Sequence, residues 1–164
     1  MKNTVKVMFV CMGNICRSPT AHAVMRKLVL EQGLEDHIII ESSGTHAYHV
    51  GNPPDPRSQA TAMQKGIDMS DLRAQKISIT DYDEFDWILA MDEENLELIN
   101  YYAPPDHTAQ CALLMDFSLL EKYSDQHIVP DPYYGGNQGF ENVFYMVEDA
   151  CAGFLQHIQK SDDL

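Results

Sequence analysis

The stretch Val5-Lys6-Val7-Met8-Phe9-Val10-Cys11-Met12-Gly13-Asn14-Ile15-Cys16-Arg17-Ser18-Pro19 decides how the rest of the chain is read. Val5 to Val10 is apolar and rich in β-forming residues, the composition of a buried strand. Pro19 suits the first turn of a helix, where its missing N–H is no loss. Between them lies a polar loop, Cys11 to Ser18. A strand that runs through such a loop into a helix forms an anion-binding concavity, because loop N–H groups and the unsatisfied N–H groups of the helix start share one space. Gly13 is expected to let the backbone turn tightly and to keep side chains out of that cradle. Arg17 supplies a planar, permanently charged fork that matches a tetrahedral oxyanion. Cys11 sits where a helix start and an arginine both favour the thiolate, which is the nucleophilic form.

Outward from this unit, strands and helices alternate. Ala21, Val24, Met25, Leu28 and Val29 recur at helical spacing up to a stop at Gly33. A second strand is expected over His37 to Glu41, followed by Ser42-Ser43-Gly44-Thr45 and a long irregular stretch. A helix is expected from Arg57 to Lys65, a third strand from Trp87 to Met91, and a helix from Asp92-Glu93-Glu94 to a stop at Pro104-Pro105. A fourth strand, Ala112 to Met115, precedes a loop from Ile128 to Gly136 and a long helix from about Gln138. That last helix carries an apolar stripe of Phe140, Val143, Phe144, Val147, Cys151, Phe154, Leu155 and Ile158. The pattern predicts an α/β fold in a single domain over residues 1–164: a three-layer sandwich with a four-stranded parallel sheet and helices on both faces. Ligands of such folds gather at the carboxyl ends of the strands. The Cys11 loop, the Ser43 loop, Asp92 and the Asp131 loop all follow strands and so can meet there.

Composition narrows the functions available. The chain has 164 residues, with 45% hydrophobic and 22% charged, ordinary values for a globular protein. Its four cysteines, at 11, 16, 111 and 151, are too few and too unevenly spaced for a disulfide scaffold, which points to a reducing compartment. The apolar run near the N-terminus is short and leads into Gly13-Asn14, unlike an export signal, and no apolar run approaches a membrane span. A cytoplasmic protein is expected. Eleven basic against 25 acidic residues give a net charge of −14, which argues against nucleic acid or an anionic membrane as partner. It also means that any bound phosphate must be held by local donors.

Cys-x5-Arg alone is a weak motif; the preceding strand, Gly13-Asn14, Ser18 and Pro19 give it weight. With this context, VCMGNICRSP resembles the signature of the low-molecular-weight protein tyrosine phosphatases. The likeness extends through Ser43-Gly44-Thr45, His49-Val50-Gly51, Asp55-Pro56-Arg57, Met91-Asp92-Glu93 and Asp131-Pro132-Tyr133-Tyr134-Gly135. It implies a fold of the flavodoxin-like, phosphotyrosine phosphatase I type. It also implies that Cys11 attacks phosphorus to form a cysteinyl-phosphate, that Arg17 grips the equatorial oxygens, and that Asp131 donates a proton to the leaving phenolate and then accepts one from water. The rest of the loop, Met12, Gly13, Asn14, Ile15, Cys16 and Ser18, would bind phosphate, with Ser43 in the hydrogen-bond network of Asn14 and Ser18. The substrates would be phosphotyrosine proteins or peptides, the protein a monomer or weak dimer, and no cofactor or metal is required. The chemistry of the residues agrees: a phenolate leaving group gains from a general acid, and a covalent step divides one hard displacement into two.

Several residues admit two readings. Cys16 either packs or, as the family suggests, forms a reversible disulfide with Cys11. A zinc site on Cys11 and Cys16 lacks a second ligand pair of suitable spacing. Cys111 and Cys151 read as core, and His22 as a helix-surface residue. Tyr133 and Tyr134 are core aromatics, or walls of the pocket that relatives can phosphorylate; Tyr48 stands where the family often has the tryptophan of the opposite wall. Asp92 is a helix cap or a member of the site. One departure concerns the histidine that many relatives carry shortly after Gly66-Ile67, where it orients the loop through Asn14. Here the stretch reads Asp68-Met69-Ser70-Asp71-Leu72-Arg73-Ala74-Gln75, so the tuning of loop rigidity is expected to differ. Arsenate reductases share the fold but need relay cysteines, and Lys76 to Met91 contains none. Protein-arginine phosphatases carry threonine where this chain has Ile15, which favours the tyrosine class. A non-catalytic phosphotyrosine-binding module would need neither Cys11 nor Asp131.

Overall fold

The computed structural model describes residues 4–162 and Leu164. Strand β1 (Val5–Cys11) lies inside a parallel sheet of order β2-β1-β3-β4, with β2 (Ile38–Gly44) on one side and β3 (Trp87–Ala90) and β4 (Gln110–Leu113) on the other. Strand alternation sorts the core into two layers. Val5, Val7, Phe9 and Cys11 of β1, with Trp87 and Leu89 of β3, pack with helices α1 (Arg17–Glu31) and α5 (Gly139–Ser161). Met8 and Val10, with Ile88 and Ala90, face the other way, onto the short α3 (Asp81–Glu84) and α4 (Glu93–Tyr102). Helix α2 (Pro56–Gln64) packs near α5. The architecture is the expected sandwich.

The chain leaves β1 toward β2 on one side and places β3 on the other. The crevice at the carboxyl ends of β1 and β3 is therefore the topological switch point, where ligands of such sheets bind. The Cys11 loop and Asp92 both open there.

Some boundaries differ from the sequence expectation. The fourth strand is Gln110–Leu113 rather than Ala112 to Met115, because Leu114–Phe117 turns into a 3-10 segment that buries Leu114 and Met115 without pairing. Helix α1 begins at Arg17, which puts Pro19 at its third position, still within the first turn. Among the described residues, no helix is long and apolar enough to cross a membrane.

Candidate active site

The loop after β1 is held from outside by its own carbonyl groups. Those of Cys11, Met12 and Ile15 accept N–H bonds from Thr45 (2.9 Å), His46 (3.0 Å) and Asp55 (2.8 Å). A trans peptide points its N–H opposite to its C=O. The N–H groups of Met12, Gly13 and Cys16 are therefore turned away from those flanking segments, toward the inside of the turn. A loop built this way presents donors, and donors attract an anion.

The left-handed residue of the loop is Asn14 (φ 58°), not Gly13. Asparagine tolerates that conformation better than most residues, and here its side chain is fixed at both ends. Its amide donates to Ser18 Oγ at 2.7 Å, and its carbonyl oxygen accepts the N–H of Gln75 at 3.0 Å. Backbone Gln75 thus supports Asn14 in a chain that lacks the family histidine. Gly13 is small for another reason: a Cβ there would lie 2.8 Å from the His49 ring. Gly44, at the end of β2, has a similar constraint, since its Cβ would meet Met12 O at 2.5 Å and the backbone of Gly13 and Asn14 just beyond. Segment 74–77 joins this edge through Gly44 N–H to Gln75 O at 2.8 Å and Ile77 N–H to Gly44 O at 2.9 Å.

Cys11 Sγ lies 3.0 Å from Ser18 Oγ. That hydroxyl has one hydrogen, and because Asn14 donates to its oxygen, the hydrogen is free for the sulfur or for Ser43 O at 3.3 Å. Ser43 enters the network through its carbonyl; its own hydroxyl is buried with no partner in the described structure. Arg17 is 5% exposed. Its Nη1 donates to Asp92 Oδ2 at 2.6 Å and to Val129 O at 3.1 Å. Both bonds leave from the same nitrogen, so the Nε–Nη2 edge is the side that can take a bidentate oxyanion. Burial lowers the affinity of this guanidinium for its proton, but Cys11 and Asp92 outweigh that and hold it above the ordinary arginine value. Asp92 both pairs with Arg17 and caps α4, since its Oδ1 accepts Asn95 N–H at 2.8 Å.

Asp131 stands at the head of a 3-10 turn (Pro132–Tyr134), where its Oδ1 accepts Tyr133 N–H at 3.0 Å. The pocket is lined by Cys11, Met12, Gly13, Ile15, Cys16 and Arg17 at the base, by Tyr48 and His49 on one side, and by Asp131 and Tyr133 on the other. Asn14, Ser18, Ser43 and Asp92 stand behind this lining. Tyr48 is 72% exposed and stacks on His46, ring centroids 5.1 Å apart. Tyr134 is 90% exposed and does not line the pocket. Burial pushes the Cys16 thiol up to about 12; a hydrogen bond with Ser58 opposes this while Asp55 and Cys11 add to it. All four cysteines are free.

One residue lies elsewhere than expected, and another is less buried than expected. His22 is buried, with Nδ1 3.0 Å from Ser42 Oγ of β2, and segment 68–71 lies near the same helix, where Arg26 donates to Asp71 and to Asp68 O. Cys111 is only partly buried, though it packs against the core layer of Met8 and Val10, whereas Cys151 is fully buried. The packing role of Gly44 and the support from the Gln75 N–H carry no signal in residue type, and His49 lines the pocket from within the His49-Val50-Gly51 motif.

Comparison with known proteins matches the family described as low molecular weight phosphotyrosine protein phosphatase over residues 6–163. The chain is 40% identical over 160 residues to the low molecular weight protein-tyrosine-phosphatase YfkJ of Bacillus subtilis, covering 98% of this chain and 99% of that one. A protein tyrosine phosphatase crystal structure from Entamoeba histolytica, with Hepes in its active site, superposes with a TM-score of 0.90 at 34% identity, covering 97% of this chain and 99% of that one. The structure of a Drosophila arginine phosphatase superposes with a TM-score of 0.86 at 33% identity, covering 94% of this chain and 98% of that one.

Proposed function

The chain belongs to the low molecular weight phosphotyrosine protein phosphatase family, and we propose that it hydrolyses phosphotyrosine through a cysteinyl-phosphate on Cys11. The observation that carries this reading is the placement of Cys11 Sγ beside the Ser18 hydroxyl at 3.0 Å, at the base of a loop whose carbonyls are pinned outward. The Cys11 thiolate attacks phosphorus while the P–O bond to the phenyl ring breaks. The electron pair leaves with the phenolate, which takes a proton from Asp131. Arg17 holds two equatorial oxygens on its Nε–Nη2 edge, oriented by Asp92, and the loop N–H groups take the developing charge. Water then attacks the phosphorus of the cysteinyl-phosphate and gives its proton to the Asp131 carboxylate. The S–P bond breaks, its electron pair returns to Cys11, and phosphate departs. In this second step the Ser18 O–H stabilises the leaving sulfur.

Tyr48 and Tyr133 supply the walls for a phenyl ring, and residues 1–164 act as one phosphatase domain. We read the enzyme as cytoplasmic and as a monomer or weak dimer, with phosphoproteins as substrates. Its charge of −14 disfavours nucleic acid and anionic membranes as partners. Phosphoarginine is the second reading, favoured by the superposition with the Drosophila arginine phosphatase. Ile15, apolar and bulky at the pocket base, supports tyrosine instead.

The test compares kcat/KM for phosphotyrosine, phosphoserine and phosphoarginine peptides in the presence of chelator, with and without vanadate, alongside Cys11→Ser. Turnover of phosphotyrosine well above the other two, inhibited by vanadate and abolished in Cys11→Ser, is expected. Substantial turnover by Cys11→Ser removes the covalent mechanism, and a preference for phosphoarginine moves the enzyme to the other class.

A further inference from the structure

Asp55 joins three parts of the molecule. Its N–H donates to Ile15 O in the phosphate loop at 2.8 Å. Its Oδ1 caps α2, accepting Arg57 N–H at 2.8 Å and Arg57 Nε at 3.1 Å. Its Oδ2 accepts Arg57 Nη2 and the Tyr133 hydroxyl, each at 2.9 Å. The residue is 8% exposed. Capping a helix requires one oxygen at the surface. A second oxygen, buried and aimed at the loop that carries the proposed acid, goes beyond that need.

From Tyr133 the connection continues to the acid. Tyr133 N–H donates to Asp131 Oδ1, while its ring is held under the Arg57 guanidinium at 4.6 Å. The path Ile15–Asp55–Tyr133–Asp131 therefore fixes the acid loop against the phosphate loop through hydrogen bonds. The acid loop has other anchors: Val129 N–H bonds to Met91 O at 2.7 Å, and Pro132 O packs so tightly on Gly139 that a Cβ there would lie 2.5 Å from it. With these anchors, loss of the Asp55 contact is expected to leave the loop folded while loosening Tyr133, whose N–H holds the Asp131 carboxylate. Burial pushes the Asp55 carboxyl up, but its bonds from Arg57 and Tyr133 prevail and hold it below the usual carboxylate range, so it acts as a permanent acceptor.

We propose that Asp55 is a positioning residue for catalysis, aligning Asp131 over the phosphate loop by way of Tyr133. The proposal rests on Asp131 being the general acid. A proton donor matters most for a poor leaving group, so misalignment penalises phenyl phosphate and spares 2,4-dinitrophenyl phosphate.

The experiment measures kcat/KM for both esters in Asp55→Ser, Tyr133→Phe, Asp131→Ala and Asp55→Ser/Asp131→Ala. Serine keeps the cap but is too short to reach the Tyr133 hydroxyl. A loss of about tenfold on phenyl phosphate is expected for Asp55→Ser, as for other misplacements of a catalytic group, with under about twofold on the dinitrophenyl ester. That loss should disappear when Asp131 is already alanine. Tyr133→Phe, which removes only a hydroxyl, should show the same ester-selective loss and carries the test if Asp55→Ser does not fold. Equal losses on the two esters, or losses that multiply in the double variant, overturn the role of Asp55. Equal losses in Asp131→Ala itself would instead overturn the acid assignment beneath it.

Discussion

Replacing Asp92 with asparagine should separate the charge of Arg17 from its orientation. In the native site Asp92 Oδ2 accepts from Arg17 Nη1 at 2.6 Å while Oδ1 accepts from Asn95 N–H at 2.8 Å. Both atoms must be acceptors. Asparagine has one acceptor and one donor, so it either keeps the cap and turns an N–H toward the guanidinium, or keeps the guanidinium and abandons the cap. The ion pair is largely buried, with side-chain exposures of 6% and 21%, so screening by water is limited. A charge-assisted hydrogen bond is worth about 1.5–3 kcal/mol and a cap about 1 kcal/mol, and only one of them is lost outright. Asp92→Asn should therefore destabilise the free enzyme by about 2 kcal/mol, which for a domain of this size lowers Tm by roughly 4–8 °C. Arg17 remains charged and keeps its bond to Val129 O, so ground-state binding of phosphate survives. The guanidinium is no longer held at the angle the transition state needs, and kcat should fall about 10- to 100-fold with KM changed by less than about threefold. Differential scanning calorimetry and steady-state kinetics on an aryl phosphate test this together. A raised KM with normal kcat would mean that Asp92 does not orient Arg17. Wild-type values of both Tm and kcat would mean that the ion pair carries neither stability nor catalysis.

Two further expectations concern groups outside the reacting centre. Burial pushes His22 down to about 4 from 6.5, with Arg26 adding to the fall. The unfolded chain takes the proton first, so as pH drops from about 6.5 to 4 the fold loses up to about 3 kcal/mol from this group; His22→Gln should flatten that slope in urea titrations, and an unchanged slope refutes it. Gly44→Ala would drive a methyl into Met12 O and the backbone of Gly13 and Asn14. It should cost about 1–3 kcal/mol and lower vanadate affinity at least tenfold, whereas a stability loss with native affinity would show that the phosphate loop does not feel the contact.

How much of this was legible depended on whether a side chain or the backbone carried the information. The unit from Val5 to Pro19 could be read because an apolar strand, a cysteine, an arginine and a proline each announce a local role. The stripe of α5 was equally plain, since its buried residues repeat at helical spacing over 23 residues. The end of β4 was not, because Leu114 and Met115 are as buried in their 3-10 turn as they would be in a parallel strand. Helix α3 is four residues, too short for a period to emerge. The support of Asn14 by Gln75 comes from a main-chain N–H that any residue but proline would provide. His22 reads as surface because helical periodicity describes one helix, while its partner Ser42 comes from strand β2. Asp55 stands in the Asp55-Pro56-Arg57 motif, but its contacts on two sides appear only once residues 15, 57 and 133 are brought together.

The charge of −14 explains why so much structure is spent on holding one loop. Among the described residues lining the pocket, Arg17 is the only lysine or arginine, and Asp92 and Asp131 already stand near it. Net charge therefore cannot be what draws a phosphate dianion to this site. The attraction must come from Arg17 together with peptide dipoles, which act only at close range and only when correctly turned. A loop free to rotate its peptide planes would offer carbonyls as readily as N–H groups, and the negative field of the whole molecule would then prevail. Thr45, His46 and Asp55 prevent this by occupying three carbonyls, and Gln75 and Ser18 do so by fixing Asn14 at its positive φ. Fixed peptide planes are thus what lets this loop offer donors to an anion, and Asp55, which accepts from Tyr133, ties the Asp131 turn to the same frame.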